Sequence, residues 1–241
     1  MQKLTPQIVI VPASFAPPSL YSRLIQSLTQ YALETTVIDL PSVGFRDTLP
    51  AASMEEDAQH IRKVATTLAD EGHEIILVMH SYGGICGTES TAGVSKTERQ
   101  AAGKAGGSVK TMMGDNMPHF MKLEGDYLRS DPEGCASVNF SDLPKAEALT
   151  YAKQMTAHSA LSFAGPLKNG GYLNIPVVYI VCEKDISVPS VVQRSVIDMI
   201  SKKSGRNVIT FSCDSGHFPT VSIPGKVASF IYKVATQSLE Q

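Results

Sequence analysis

Three residues of this sequence could act together as a nucleophile, a base and an orienting acid. Ser81, Asp185 and His217 each stand a few residues past a short run of apolar and β-branched residues. A serine hydroxyl is a weak nucleophile unless a base accepts its proton and a third group orients that base. An imidazole suits the base because it titrates near neutral pH, and a carboxylate suits the orienting group. These types in this order predict nucleophilic catalysis at a serine.

Ser81 belongs to the segment 80–84, with the sequence HSYGG, between the apolar run 75–79 and a stretch of small residues that can start a helix. A serine on so sharp a turn from strand to helix projects its hydroxyl from the carboxyl edge of a sheet. The glycines allow strand and helix to approach closely, and a helix N-terminus favours negative charge that develops beside it. The segment is therefore typical of a nucleophile turn.

Asp185 and His217 follow the apolar runs 177–182 and 208–212. Each has a simpler interpretation, because an aspartate in a loop is usually a turn residue or a helix cap, and a lone histidine is usually at the surface. Their joint order with Ser81 favours the catalytic interpretation, since open α/β sheets bind ligands beyond the carboxyl ends of their strands. We predict that His217 is the base and Asp185 its orienting partner.

The spacing of apolar residues predicts the elements that would position these side chains. Five runs predict strands, and all but the second are nearly continuous in apolar residues, as in strands buried on both faces of a parallel sheet. The predicted strands are Ile8–Val11, Thr36–Leu40, Glu74–Met79, Val177–Cys182 and Val208–Ser212. Helix-period segments lie at Ser19–Tyr31, Met54–Ala69 and Ile223–Gln237. This alternation predicts a doubly wound, mostly parallel α/β sheet in a single domain over residues 1–241.

A family resemblance rests on four segments: Val11–Phe15, His80–Gly84, Glu183–Asp185 and Ser215–Phe218. Through them the chain resembles the α/β-hydrolase superfamily, and within it the esterase-like group that includes plant methylesterases and hydroxynitrile lyases. The resemblance implies an oxyanion hole formed by the backbone amides of Ser14 and Tyr82. It also implies that Phe15, Tyr82 and Phe218 border the substrate.

The chain departs from this family in two places. Met79 stands where the family has glycine, two residues before the serine, so a bulky side chain must point elsewhere or crowd the turn. Only Ser108–Met113 offers the strand expected after the nucleophile helix, and it is short. We therefore expect a slightly remodelled turn and a lost or shortened core strand.

Residues 103–171 interrupt the alternation of strands and helices and are rich in Gly, Met, Asp and Pro. They contain amphipathic pieces such as Lys145–Gln154 but no convincing buried strand. We predict an inserted, atypical helical cap over this range. His119 and His158 lie within it, where either could touch substrate, but both are expected at the surface.

The composition and charge of the chain argue against nucleic acid and membranes as binding partners. The formal net charge is -2 with scattered basic residues, which gives no electrostatic footprint for nucleic acid or an anionic membrane. No leader pattern and no apolar run near the roughly 20 residues of a membrane span are present. The sequence thus predicts a cytoplasmic protein with a small-molecule substrate. None of the four cysteines belongs to a C-x-x-C pair, so we expect reduced thiols at Cys86, Cys135, Cys182 and Cys213.

Three functions are compatible with these residues. The first is hydrolysis of a carboxylic ester or lactone of a small organic molecule through an acyl-enzyme, which needs no metal or organic cofactor. The second uses the same Ser81 and His217 for acid-base chemistry in a lyase or cyclase. The third is a catalytically weak ligand-binding relative, because one fold can host both enzymes and binding proteins.

Overall fold

The computed structural model describes residues 6–93 and 120–236. Its strands are β1 Gln7–Val11, β2 Thr35–Val37, β3 Ile75–Met79, β4 Met121–Glu124, β5 Tyr127–Ser130, β6 His158–Ser159, β7 Val178–Cys182 and β8 Ile209–Cys213. Its α-helices are α1 Ser22–Thr29, α2 Met54–Asp70, α3 Gly83–Ser90, α4 Pro132–Asn139, α5 Lys145–Ala152, α6 Ser190–Ser204, α7 Pro219–Ser222 and α8 Pro224–Thr236. Short 3-10 helices cover Pro18–Tyr21, Ala160–Phe163 and Gly171–Leu173.

These helices and strands are divided between two compact units. The described residues of the first unit come from the stretches Met1–Pro18, Glu34–Asp131 and Met155–Gly171. Those of the second come from Ser19–Leu33, Pro132–Gln154 and Tyr172–Gln241. The nucleophile candidate Ser81 belongs to the first unit, and the candidates Asp185 and His217 belong to the second.

A parallel three-stranded sheet organises the first unit, with β1 between β2 and β3. All five residues of β1 are buried, and the continuous apolar run over the last four, 8–11, predicts this burial. β1 and β3 pair in register from Gln7 opposite Ile75 to Val11 opposite Met79. The two strands therefore end side by side, and the segments that follow them are neighbours.

α2 begins where the sequence changes from small residues to a helical period. Ser53 and Glu56 form a capping box, in which each side chain accepts the backbone N–H of the other residue. The apolar face of α2 joins the sheet and α3 in one buried cluster, which includes Val9, Val11, Ile38, Leu40, Met54, Ile61, Tyr82 and Cys86.

A second sheet in this unit is antiparallel and joins β4, β5 and β6. Gly125 turns the chain between β4 and β5 with a φ of 60°, which glycine adopts without steric cost. The prediction of a helical cap missed this hairpin, because its strands are short, only Leu128 of their residues is buried, and they therefore lack a long apolar run.

The second unit is built on the parallel pair β7 and β8. Phe211 of β8 stacks on Phe230 of α8 with ring centroids 4.6 Å apart. Cys182 and Cys213, the last residues of the two strands, are buried in the same cluster. The carboxyl ends of β7 and β8 thus lie together, and each leads into a loop that carries a predicted site residue.

The predicted strands are all present, with ends within one residue of the prediction except that β2 stops at Val37. The predicted first helix is divided into a 3-10 turn, which begins at Pro18, and α1. The candidate core strand Ser108–Met113 lies outside the described residues, and the cap over 103–171 stays a prediction. No helix in the described ranges combines the length and apolar character that a membrane span requires.

Candidate active site

Ser81 adopts a left-handed backbone conformation at the turn between β3 and α3. Its φ is 53°, which a non-glycine residue rarely adopts because Cβ then crowds the neighbouring carbonyl oxygen. Hydrogen bonds fix the chain on both sides: His80 N–H donates to Val11 O at 3.0 Å, and Gly84 N–H donates to Ser81 O at 2.8 Å. Strain held in place by its surroundings is a mark of functional sites.

Two glycines allow α3 to approach the sheet. A Cβ on Gly83 would lie 2.4 Å from Val11 O and 2.6 Å from Pro12 O, so the helix start touches the backbone that follows β1. A Cβ on Gly87 would lie 2.5 Å from Met79 Sδ. The unusual Met79 is accommodated because α3 presents a glycine to it, and the turn keeps its sharp form.

The segment after β1 contains a second left-handed residue. Phe15 has a φ of 64°, and its carbonyl accepts the N–H of Thr156 at 2.9 Å. Its own N–H donates to Nδ1 of His158 at 3.2 Å. The amides of Ser14 and Tyr82 follow the adjacent strands β1 and β3, and neither donates to another residue in the part of the chain that the structure describes.

The side chain of Tyr82 is buried beneath the turn and is only 3% exposed. Its hydroxyl donates to Asp57 Oδ2 at 2.5 Å, and Asp57 Oδ1 accepts the N–H of Ser42 at 2.9 Å. Burial raises the pKa of Asp57 above its ordinary value, and burial beside that carboxylate raises the pKa of Tyr82. Tyr82 therefore remains a neutral hydrogen-bond donor that anchors the turn to α2.

His158 is fully buried, and the prediction that it lies at the surface is wrong. Burial lowers its pKa to about 3, so the ring is neutral at physiological pH. Aromatic rings surround it, with centroids 4.8 Å away for both Tyr82 and Phe163 and 5.2 Å away for Phe15. The neighbouring residues 155–163 mix small, polar and apolar side chains without a continuous apolar run, so only tertiary contacts reveal this burial.

His217 and Asp185 are in direct contact in the second unit. Nδ1 of His217 lies 2.9 Å from Asp185 Oδ2, and both side chains are buried, at 8% and 5% exposure. Because an ionised carboxylate only accepts hydrogen bonds, the imidazole proton lies on Nδ1. Asp185 Oδ1 accepts the N–H of Val188 at 2.9 Å, which fixes the carboxylate in its loop.

Gln193 holds the loop of Asp185 against β7 and was not identified from the sequence. It is 3% exposed, and its amide accepts from Cys182 N–H at 3.0 Å while donating to Cys182 O at 3.0 Å and Val188 O at 2.7 Å. Its Nε2 also lies 3.5 Å from Asp185 Oδ2. A glutamine one turn into a helix resembles many surface residues, so no local pattern distinguishes it.

Asp142 anchors the loop of His217. Its Oδ2 accepts from Ser215 Oγ at 2.9 Å and from the N–H of Gly216 at 2.8 Å. A Cβ on Gly216 would lie 2.8 Å from Asp142 Oδ1, so the glycine permits this close approach. Phe140 stacks on Phe218 with centroids 4.6 Å apart and supports the same loop from the residues just before Asp142.

Comparison with known proteins identifies the family. The sequence model of the Alpha/beta hydrolase family matches residues 8–230, which is most of the chain. This chain belongs to the α/β-hydrolase family. The α/β-hydrolase is 33% identical over 240 residues to a protein of Phoma sp. named probable hydrolase R7, covering 95% of this chain and 98% of the relative. It is 23% identical over 232 residues to methylesterase 1 of Arabidopsis thaliana, covering 83% and 84% of the two chains.

Among solved structures, this α/β-hydrolase is similar to a pyrethroid hydrolase from Sphingobium faniae. The similarity covers 98% of this chain and 99% of the pyrethroid hydrolase. The TM-score is 0.70 and the sequence identity 21%, so this likeness concerns the fold. The predicted α/β-hydrolase fold is confirmed by the family model and by the solved structure. The esterase-like resemblance is confirmed because a named hydrolase and a methylesterase match most of the sequence. The chain is an enzyme of the hydrolase class.

The structure brings Asp185 and His217 of this α/β-hydrolase together, and it places Ser14 and Tyr82 after adjacent strands. The predicted substrate contacts Phe15, Tyr82 and Phe218 are all buried, at 2%, 3% and 1% exposure. The rings of Phe15 and Tyr82 contact His158, and the ring of Phe218 stacks on Phe140. Contact of the three side chains with substrate stays a prediction. The cysteines among the described residues are free and buried, at Cys86, Cys135, Cys182 and Cys213.

Proposed function

We propose that this α/β-hydrolase cleaves a carboxylic ester or lactone of a small organic molecule with Ser81, His217 and Asp185. The observation that carries the proposal is the buried hydrogen bond from His217 Nδ1–H to Asp185. It selects the tautomer whose Nε2 has no proton, and that is the form a general base needs. The left-handed turn at Ser81 supports the assignment of the nucleophile.

In the proposed reaction, Ser81 Oγ attacks the carbonyl carbon of the substrate while His217 Nε2 accepts the hydroxyl proton. The carbonyl double bond becomes a negatively charged oxygen, and its collapse expels the alcohol, which takes the proton back from His217. Water then repeats the sequence on the acyl-enzyme and releases the acid. Asp185 stays ionised throughout and stabilises the transient imidazolium.

The backbone amides of Ser14 and Tyr82 are proposed to stabilise the oxyanion. Support comes from the side-by-side ends of β1 and β3 and from the close approach of Gly83 to Val11 O and Pro12 O. The N-terminus of α3 adds favourable electrostatics for negative charge at this position. Loss of one such donor typically costs about 3 kcal/mol of transition-state stabilisation.

The test is a single substitution with a matched control. Ser81→Ala is expected to abolish turnover of p-nitrophenyl esters and to remove labelling by a fluorophosphonate, whereas Ser195→Ala, at an exposed serine of α6, should change neither. Mass spectrometry of the labelled peptide identifies the modified residue. Full activity of the Ser81→Ala variant would overturn the assignment of the nucleophile.

A covalent intermediate separates hydrolysis from the alternatives. Acid quenching of wild-type enzyme during ester turnover is expected to trap an acyl group on Ser81, which mass spectrometry detects. Product formation that requires His217 but passes through no acyl adduct would support a lyase or cyclase. Tight substrate binding without turnover would support a binding protein.

A further inference from the structure

His158 lies at the point where the segment after β1 meets the turn after β3. It is 143 residues from Phe15 in the chain, yet its Nδ1 accepts the Phe15 N–H. Its ring also contacts the ring of Tyr82 edge-on, with centroids 4.8 Å apart. One buried imidazole thus touches the residue after Ser14 and the residue after Ser81.

The hydrogen bonds of His158 define its tautomer. Nδ1 accepts from an amide and therefore carries no proton, so the proton lies on Nε2. Nε2 lies 2.9 Å from Ser162 Oγ, whose own proton goes to Ser159 O at 2.8 Å. Every polar atom of the ring is satisfied, and Ser162 keeps the acceptor nitrogen turned toward Phe15.

The bond to His158 fixes the peptide plane between Ser14 and Phe15. Phe15 has a φ of 64°, and an apolar side chain at position 158 would leave its N–H buried without an acceptor. Rotation of this peptide plane would release the left-handed conformation and move the adjacent Ser14 amide. The acceptor nitrogen, rather than the volume of the ring, is therefore what holds this segment.

We propose that His158 is a positioning residue for the oxyanion hole, which it orders by accepting the N–H of Phe15 and packing against Tyr82. The proposal rests on the proposed function, in which the Ser14 and Tyr82 amides bind the oxyanion. His158 acts through these two backbone segments and does not touch the reacting atoms. It is needed for the rate of the chemical step more than for substrate binding.

Two substitutions separate the acceptor from the ring. His158→Phe keeps an aromatic ring and removes the acceptor, whereas His158→Asn keeps an acceptor near the position of Nδ1 and removes the ring. We expect kcat for p-nitrophenyl butyrate to fall about 10- to 100-fold in the phenylalanine variant, with KM changed less than about threefold. The asparagine variant should retain kcat within about fivefold although it melts at a lower temperature.

The rates of the two variants can also overturn the role of the His158 acceptor. Wild-type kcat in the phenylalanine variant, or an equal loss in a folded asparagine variant, overturns it. Rates are expressed per active site titrated with a fluorophosphonate, and His158→Leu serves as the second apolar variant. A wild type that neither hydrolyses the ester nor reacts at Ser81 overturns the proposed function itself. In wild type, a nitrogen–nitrogen scalar coupling across the Phe15–His158 hydrogen bond is expected, and its absence also overturns the proposal.

Discussion

The side chain of Met79 occupies the space that a side chain on Gly87 would need, with Sδ 2.5 Å from the position of that missing Cβ. Met79 ends β3 and Gly87 lies on α3, so the two residues form the contact between strand and helix on either side of Ser81. The methionine two residues before Ser81 is tolerated because Gly87, on the helix that faces it, has no side chain to compete for this space.

This contact predicts a coupling between the two positions. Gly87→Ala should destabilise the enzyme by about 1–3 kcal/mol through overpacking, although alanine is the better helix former. In a Met79→Ala background the same change should be close to neutral, giving a coupling energy of about 1 kcal/mol or more. Urea denaturation of the four proteins measures it. Gly84→Ala is the control, since nothing lies within 4 Å of its Cβ position, and additive effects of the two changes would contradict the contact.

Asp142 is predicted to affect catalysis although it lies 73 residues before the loop that it holds. Asp142→Ala removes the acceptor of Ser215 and Gly216, and we expect kcat to fall about 10-fold through misplacement of His217. The free energy of unfolding should fall by about 1–3 kcal/mol. Asp198→Ala, at an exposed aspartate of α6, is the matched control. An unchanged kcat with lowered stability would restrict Asp142 to a structural role.

Gln193 is predicted to be essential for the conformation of the Asp185 loop. Gln193→Leu leaves the N–H of Cys182 and the carbonyl of Val188 without their partner, at a cost of about 1–3 kcal/mol for each buried group. The carbonyl of Cys182 loses one of its donors and keeps the N–H of Asp185 at 3.4 Å. We expect a loss of roughly 3 kcal/mol or more in urea denaturation, together with reduced kcat. Gln59→Leu, at an exposed glutamine of α2, should change little. Equal stability of the two variants would disprove the role of Gln193.

The buried neutral state of His158 predicts a dependence of stability on pH. Its pKa is about 3 in the folded protein and about 6.5 in an unfolded chain, so below pH 6.5 the unfolded chain binds the extra proton and acid favours unfolding. The contribution of neutral His158 to the free energy of unfolding is complete above about pH 6.5 and is lost as the pH falls toward 3.

Comparison with His158→Phe isolates this effect, because Asp57 titrates in both proteins. Between pH 7 and pH 5, the wild type should lose stability relative to the variant by up to about 1.4 kcal/mol per pH unit. Urea denaturation at several pH values measures the difference. A constant difference across this range would mean that His158 is not buried in its neutral form.

Local patterns in the sequence determined the strands and the positions of the candidate triad. Short runs rich in apolar and β-branched residues identify β1, β3, β7 and β8, because such side chains are favoured in the strands of a packed α/β sheet. Ser81, Asp185 and His217 could be proposed since each follows such a run, and the hydrogen bond between the last two agrees with that reading. The hairpin of β4 and β5 was missed because exposed strands carry no such constraint.

Only the tertiary structure decided which polar residues support the site. His158, Asp142 and Gln193 sit in segments without a local signal, and two of them meet their partners across 143 and 73 residues of chain. A buried polar side chain is determined by the donor or acceptor that it must satisfy, and that partner is known only when distant segments are folded together. The sequence alone determined where chemistry could occur, and the fold determined which side chains hold it in place.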